Sequence, residues 1–245
     1  DYLGLAWRQL QVNARTRYFE DQSDELRRYA VAAMSEIGEV RTPLTDDRIV
    51  DVLRVFHYGN PKVLLAVAAL RSATLGQVPR LTILSADEMR QIQPDVPIDM
   101  EAPSLVDPKA DDERVRRIFD DIAKTLGLSV ISCDYRSLAG WPEYLDGVWQ
   151  AMKLRIHTPQ YRRAVRELRR MADGSVLDLP FRMDITPHIL RNGGLTEAQI
   201  DMVRAALDLF YRVVPDLVMN MAIAMTGVEG RTAAMESPFP VSSGD

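Results

Sequence analysis

The chain has 245 residues, 47% of them hydrophobic, and a formal net charge of −5 at pH 7. That is apolar enough for a well-buried core in one large domain or two smaller ones. The mild acidic excess, with arginines interspersed among acids, excludes a dedicated nucleic-acid binder, which needs a concentrated basic surface. Cys133 is the only cysteine, so an intramolecular disulfide, a Cys-x-x-Cys redox pair and a cysteine zinc site are excluded, in keeping with a reducing cytoplasm.

Apolar periodicity predicts an almost entirely helical chain, with helices near residues 1–14, 19–37, 46–57, 61–73, 86–92, 111–126, 142–156, 159–173, 186–191, 197–212 and 215–228. The chain begins without methionine inside an amphipathic helix, which suggests a preceding segment. Leu81-Thr-Ile-Leu-Ser has the composition of a short strand but no partner strand. Pro94 to Pro108 is rich in proline and acids and reads as a connector. Arg162, Arg163, Arg166, Arg169 and Arg170, the densest basic run, read as a solvated helix face. Val213–Met225 is the most apolar stretch and reads as a core helix; no apolar run looks long enough to span a bilayer.

The chain also resembles itself. Asp1-Tyr-Leu-Gly-Leu-Ala-Trp-Arg matches Glu143-Tyr-Leu-Asp-Gly-Val-Trp-Gln, and Asp24-Glu-Leu-Arg-Arg-Tyr-Ala matches Arg166-Glu-Leu-Arg-Arg-Met-Ala at the same offset. Leu44-Thr45 with Ile49 then matches Leu195-Thr196 with Ile200, each a helix start with a threonine cap and an apolar staple; Gln199 completes a capping box in the second. These matches predict an all-α fold of tandem duplicated repeats packed as a pseudo-dimer: a first repeat over 1–93, a linker over 94–106 and a second repeat over 107–245. By the same logic about three dozen residues, including the counterpart of Asp134, precede Asp1.

Two stretches carry candidate chemistry. Asp134 lies among apolar neighbours just before a helix opened by Pro142, whose buried face is Tyr144, Leu145, Val148, Trp149 and Met152. A carboxylate there is either a satisfied structural cap or a tuned acid or base. In Tyr58-Gly-Asn-Pro-Lys62, Asn60 sits at a joint between two helices, a turn or N-cap position that aligns with Val214 when Pro61 is set against Pro215; Lys62 then aligns with Asp216. Two related pockets are expected, only one of which holds both Asn60 and Asp134. His57, His157 and His188 show no metal-ligand spacing and no metal site is predicted. Cys133 lacks a basic partner for nucleophilic chemistry and reads as a small pocket wall.

With these residues in place, the chain is similar to the DehI-type (group I) 2-haloacid dehalogenases. Tyr58-Gly-Asn-Pro-Lys, the run from Asp134 to Trp141-Pro142 and the terminal Ser237-Pro-Phe-Pro240 resemble that family's segments in order and spacing. The resemblance implies an all-helical homodimer without cofactor that hydrolyses 2-haloalkanoic acids to 2-hydroxyalkanoic acids. It implies Asp134 as the base that activates a water and Asn60 as its partner. Tyr58, Ser132, Cys133, Phe210, Tyr211 and Val214 fall at or beside positions facing substrate. Rival expectations are an AhpD-like helical peroxidase or decarboxylase, against which the single cysteine argues, and a non-catalytic helical ligand-binding protein.

Overall fold

The computed structural model describes residues 2–43, 46–77, 80, 82–97, 100, 102–109 and 112–241. They form helices α1 (Tyr2–Ala14), α2 (Arg17–Ala32), α3 (Met34–Ile37), α4 (Arg48–Thr74), α5 (Glu113–Leu126), α6 (Cys133–Leu138), α7 (Pro142–Ile156), α8 (Pro159–Ser175), α9 (Pro187–Asn192) and α10 (Glu197–Met235). No strand forms among the described residues, and the all-α expectation holds.

Threonine starts four of these helices. Thr16, Thr158, Thr186 and Thr196 accept hydrogen bonds from the backbone N–H three residues on, at 3.2, 3.3, 3.4 and 3.3 Å. Each satisfies one of the donors that a helix start leaves orphaned. Pro159 and Pro187 follow two of the caps, where a missing N–H costs nothing. The capping box at Thr196 and Gln199 forms as the sequence predicts. The matching cap at Thr45 and its staple at Leu44 lie outside the described residues, as does Leu81. Thr82–Ser85 is not a strand.

Two predicted breaks do not occur. Residues 46–57 and 61–73 are one helix, α4, running through Pro61, and 197–212 and 215–228 are one helix, α10, running through Pro215, with non-helical backbone at Gly230 (φ 82°). A proline inside a helix removes one N–H and crowds the preceding turn, a cost of about 3 kcal/mol. Both helices bury long faces on either side of the proline: Ile49, Leu53, Leu64, Leu65 and Ala68 on α4, and Leu217, Val218, Met221 and Met225 on α10. At roughly 1.5–3 kcal/mol for each buried side chain, continuous packing outweighs the local penalty. These two helices share the most extensive interface in the fold, with α2 and α8 packed against both.

As a continuous helix, α10 is long and apolar enough to cross a membrane by length and composition, which corrects the shorter reading above; 67% of its most apolar stretch is buried inside the protein. The predicted helix over 86–92 is instead a turn, and the chain there pairs with the α1–α2 junction through Arg17 N–H to Arg90 O (2.9 Å) and Ile92 N–H to Arg15 O (2.8 Å). The segment after α3 is clamped. Arg155 on α7 donates to Gly38 O and Glu39 O at 3.0 and 3.1 Å, and on the other side Val40 O lies so close to Gly227 of α10 that a Cβ there would stand 2.1 Å from it.

Candidate active site

Asp134 does not merely precede a helix. It occupies the first turn of α6, a helix of six residues that the sequence reading missed because so short a segment shows no period. Asn60 is likewise not at a helix joint: it lies inside α4, beside Pro61. The two side chains, only 3% and 6% exposed, meet across the α4–α6 contact, where Asn60 Nδ2 donates to Asp134 Oδ2 at 2.6 Å. Burial pushes the Asp134 carboxyl up to about 6, although the Asn60 hydrogen bond and its own backbone N–H favour the charged form. At neutral pH Asp134 is therefore ionised yet basic enough to take a proton. No other hydrogen bond engages the Asn60 carboxamide among the described residues.

The turn of α4 that carries Asn60 is pinned from three sides. Tyr58 and Lys62, four residues apart and so on one helix face, both reach Glu20 of α2: Tyr58 Oη donates to Glu20 Oε2 at 3.0 Å, Lys62 forms an ion pair with the same oxygen, and the Lys62 ammonium lies 4.5 Å from the Tyr58 ring centroid. Phe239 packs edge-to-face on Tyr58 at 5.1 Å. His57, buried, donates through Nε2 to Ala234 O at 3.0 Å and is held down to about 4 by desolvation, so it is neutral. The buried Arg27 donates to Ala234 O and Met235 O at 2.5 and 2.7 Å. Together these bonds fasten the end of α10 to α2 and α4. His57 thus serves the packing rather than the site.

The other predicted site residues spread out. Ser132 is the N-terminal neighbour of α6, and its buried hydroxyl has no hydrogen-bond partner among the described residues. Cys133 is exposed, so it does not form a buried wall. Val214 is buried in α10, Phe210 is 55% exposed, and Tyr211 donates to Asp173 at 2.6 Å with Arg71 stacked 4.6 Å from its ring. Asp216, aligned with Lys62 by the expected duplication, is pushed up to about 6 by desolvation, opposed by Arg169 at 4.0 Å. Among the described residues no three of His, Cys, Asp and Glu gather as metal ligands.

Sequence reasoning missed Glu20, which only its long-range partners identify. It also missed Asn220, a lone amide within the apolar run Val218–Ala224 whose oddness was the available signal. Asn220 is fully buried, donates from Nδ2 to Tyr135 Oη at 2.7 Å and accepts from Tyr161 Oη at 2.9 Å.

Known proteins share both sequence and fold with this chain. No protein-family model matches it. An (R)-2-haloacid dehalogenase of Pseudomonas putida is 29% identical over 242 residues, covering 90% of this chain and 77% of the relative. A configuration-inverting 2-haloacid dehalogenase of Alcaligenes xylosoxydans xylosoxydans is 28% identical, covering 98% and 84%. The solved structure of a D-2-haloacid dehalogenase in complex with L-LA superposes with a TM-score of 0.86 at 27% identity, over 92% of this chain and 81% of that one. A mutant D-2-haloacid dehalogenase with D-2-CPA matches equally well, at 26% identity. Sequence similarity over nearly the whole chain and a shared all-helical fold lead to one conclusion: this chain is similar throughout to 2-haloacid dehalogenases, among them one named as configuration-inverting.

Proposed function

We propose that the chain hydrolyses 2-haloalkanoic acids to 2-hydroxyalkanoic acids and halide, with Asp134 as general base and Asn60 as the amide that orients the attacking water. The observation that carries this reading is the buried carboxylate of Asp134, raised toward neutrality and held by Asn60 at 2.6 Å. Asp134 accepts one proton of a water as its oxygen bonds to C2 on the face opposite the halogen. The carbon–halogen bond breaks with its electron pair on the halide, inverting C2, and Asp134 then returns the proton to solvent. Orientation and proton acceptance act together, and each is effective because the pair is fixed before substrate arrives.

Tyr58, Ser132, Cys133, Phe210, Tyr211 and Val214 remain proposed substrate contacts; of these, Tyr58, two residues before Asn60, and Ser132 and Cys133, just before Asp134, adjoin the pair in the chain. The two-repeat organisation, assembly as a homodimer and a cytoplasmic location belong to the same reading.

Chloride or bromide release from each enantiomer of a 2-halopropanoate tests the reaction and its handedness together; no release from either enantiomer refutes it. A single turnover in heavy-oxygen water separates water attack from an ester route: label goes to the product acid in the first case and to Asp134 in the second. Because the base must be ionised, kcat/KM is expected to fall tenfold per pH unit below about pH 6, the value to which burial raises Asp134. A pH profile flat down to pH 4.5 would contradict that role.

A further inference from the structure

The six residues of α6 are too few to form a stable helix by themselves. Its N-cap, Ser132, makes no side-chain capping bond, and the hydroxyls of Ser132 and Ser137 are buried without partners among the described residues. Something else must set how α6 is rotated about its axis, and that rotation decides whether Asp134 points at Asn60. On the outer side, Arg136 and Val106 exchange two bonds, Arg136 Nε–H to Val106 O at 2.9 Å and Val106 N–H to Arg136 O at 3.1 Å, but Val106 belongs to an irregular segment. On the inner side stands Tyr135. Successive residues lie about 100° apart around a helix, so Asp134 and Tyr135 face different neighbours. Asp134 meets α4, while Tyr135, 0% exposed, sends its hydroxyl to Asn220 of α10 and stacks edge-to-face on Trp149 at 5.9 Å.

We infer that Tyr135, held through Asn220 by Tyr161, is a positioning residue that keeps Asp134 on the Asn60 amide. Tyr161 Oη lies 2.9 Å from Asn220 Oδ1 and 3.3 Å from Asp216 O, and the amide N–H of Asn220 is directed at Tyr135 Oη. A buried amide without such partners is costly, so the network holds these side chains together. Rotating α6 far enough to swing Asp134 off Asn60 breaks the Tyr135–Asn220 bond in the same movement. α4 and α10, the most extensively packed pair in the fold, thereby grip α6 from two directions, one through Asn60 and one through Asn220.

This inference rests on the dehalogenase reading for its kinetic consequence, so its test pairs kinetics with a measurement independent of turnover. Tyr135→Phe keeps the ring and removes the hydroxyl. It is expected to lower kcat about tenfold with KM changed less than about twofold, because aligned attack is lost and binding is not. Placed on an Asn60→Ala background, the same substitution is expected to lower kcat less than about twofold, since the contact it protects is already gone. In the wild-type protein the Asn60 side-chain amide protons are expected to exchange slowly by NMR, and in Tyr135→Phe at least about tenfold faster. Asn220→Leu, with circular dichroism to confirm folding, is expected to reproduce both effects.

An unchanged kcat, fully multiplicative effects in the double variant, or unchanged amide exchange would each overturn the inference. If the wild-type protein releases no halide, the hydrolase reading fails, and amide exchange alone decides the positioning role.

Discussion

Asp134→Asn is expected to lower kcat for halide release by about 10³-fold or more, within the 10²–10⁴-fold typical of a positioned base with water alignment lost in addition. The same variant is expected to be more stable than the wild-type protein at pH 8. The sign follows from the direction of the shift. The folded-state pKa of Asp134 lies at about 6 against an ordinary 3.8, so its protonated form is favoured by the fold. Its contribution to stability is full below about pH 4, is lost as pH rises through about 6, and burial of the charge is only partly offset above that. A shift of this size corresponds to on the order of 3 kcal/mol, part of which the charged hydrogen bond from Asn60 already reflects. A net gain of about 1–2 kcal/mol, some 3–6 °C in Tm, is expected at pH 8 and none at pH 4. Thermal unfolding at the two pH values checks it. A variant destabilised at pH 8 would mean that Asp134 is a structural ion rather than a strained functional one.

Gly227→Ala carries the largest expected loss of stability. A Cβ on Gly227 would stand 2.1 Å from Val40 O and 3.2 Å from Val40 C, both backbone atoms that no rotamer change can move. The strand of chain it would displace is held on its other side by Arg155 through Gly38 O and Glu39 O, so it cannot retreat freely. Overpacking against backbone costs about 1–3 kcal/mol or more, equivalent to about 5–10 °C in Tm for a chain of this length. The consequence extends toward the site. The same segment leads to Asp46, which accepts from Trp141 Nε1 at 2.9 Å and thereby ties the start of α4 to the turn between α6 and α7. Gly227→Ala is therefore expected to reduce kcat as well, by about threefold to tenfold at a temperature where it remains folded. Unaltered Tm would show that α10 and the 38–43 segment separate more readily than their closeness suggests.

The helical character of the chain was legible because its periodic faces are long: Tyr144, Leu145, Val148, Trp149 and Met152 are all buried as their spacing predicts. Proline misled the reading at Pro61 and Pro215, where a local rule about a missing N–H was overruled by packing on both sides of the residue. Asp134 and Asn60 could be singled out from the sequence, and the resemblance to a known family joined them; the bond between them is a fact of tertiary structure across 74 positions. Glu20 was invisible for the same reason. In sequence it is one acid in Phe19-Glu-Asp-Gln22, and only the arrival of Tyr58 and Lys62 distinguishes it from its neighbour Asp21, which pairs with Arg17 on the same helix. Polar residues inside apolar runs, such as Asn220, are the signal that such networks leave in a sequence.

The place of α10 after α4 and α6 in the chain gives the protein a timetable. Its middle, Leu217 to Met225, fills the interior between α4, α2 and α8, and its Asn220 completes the network behind the proposed base. A ribosome adding about 5–20 residues per second releases α4 and α6 well before this helix emerges. Until then the faces of α4 and α6 that α10 covers have no partner, and Asp134 lacks the hold that Asn220 provides. The nascent chain is thus an exposed apolar intermediate whose proposed catalytic pair is set only once α10 has been synthesised, so termination before α10 removes the fold and the chemistry together.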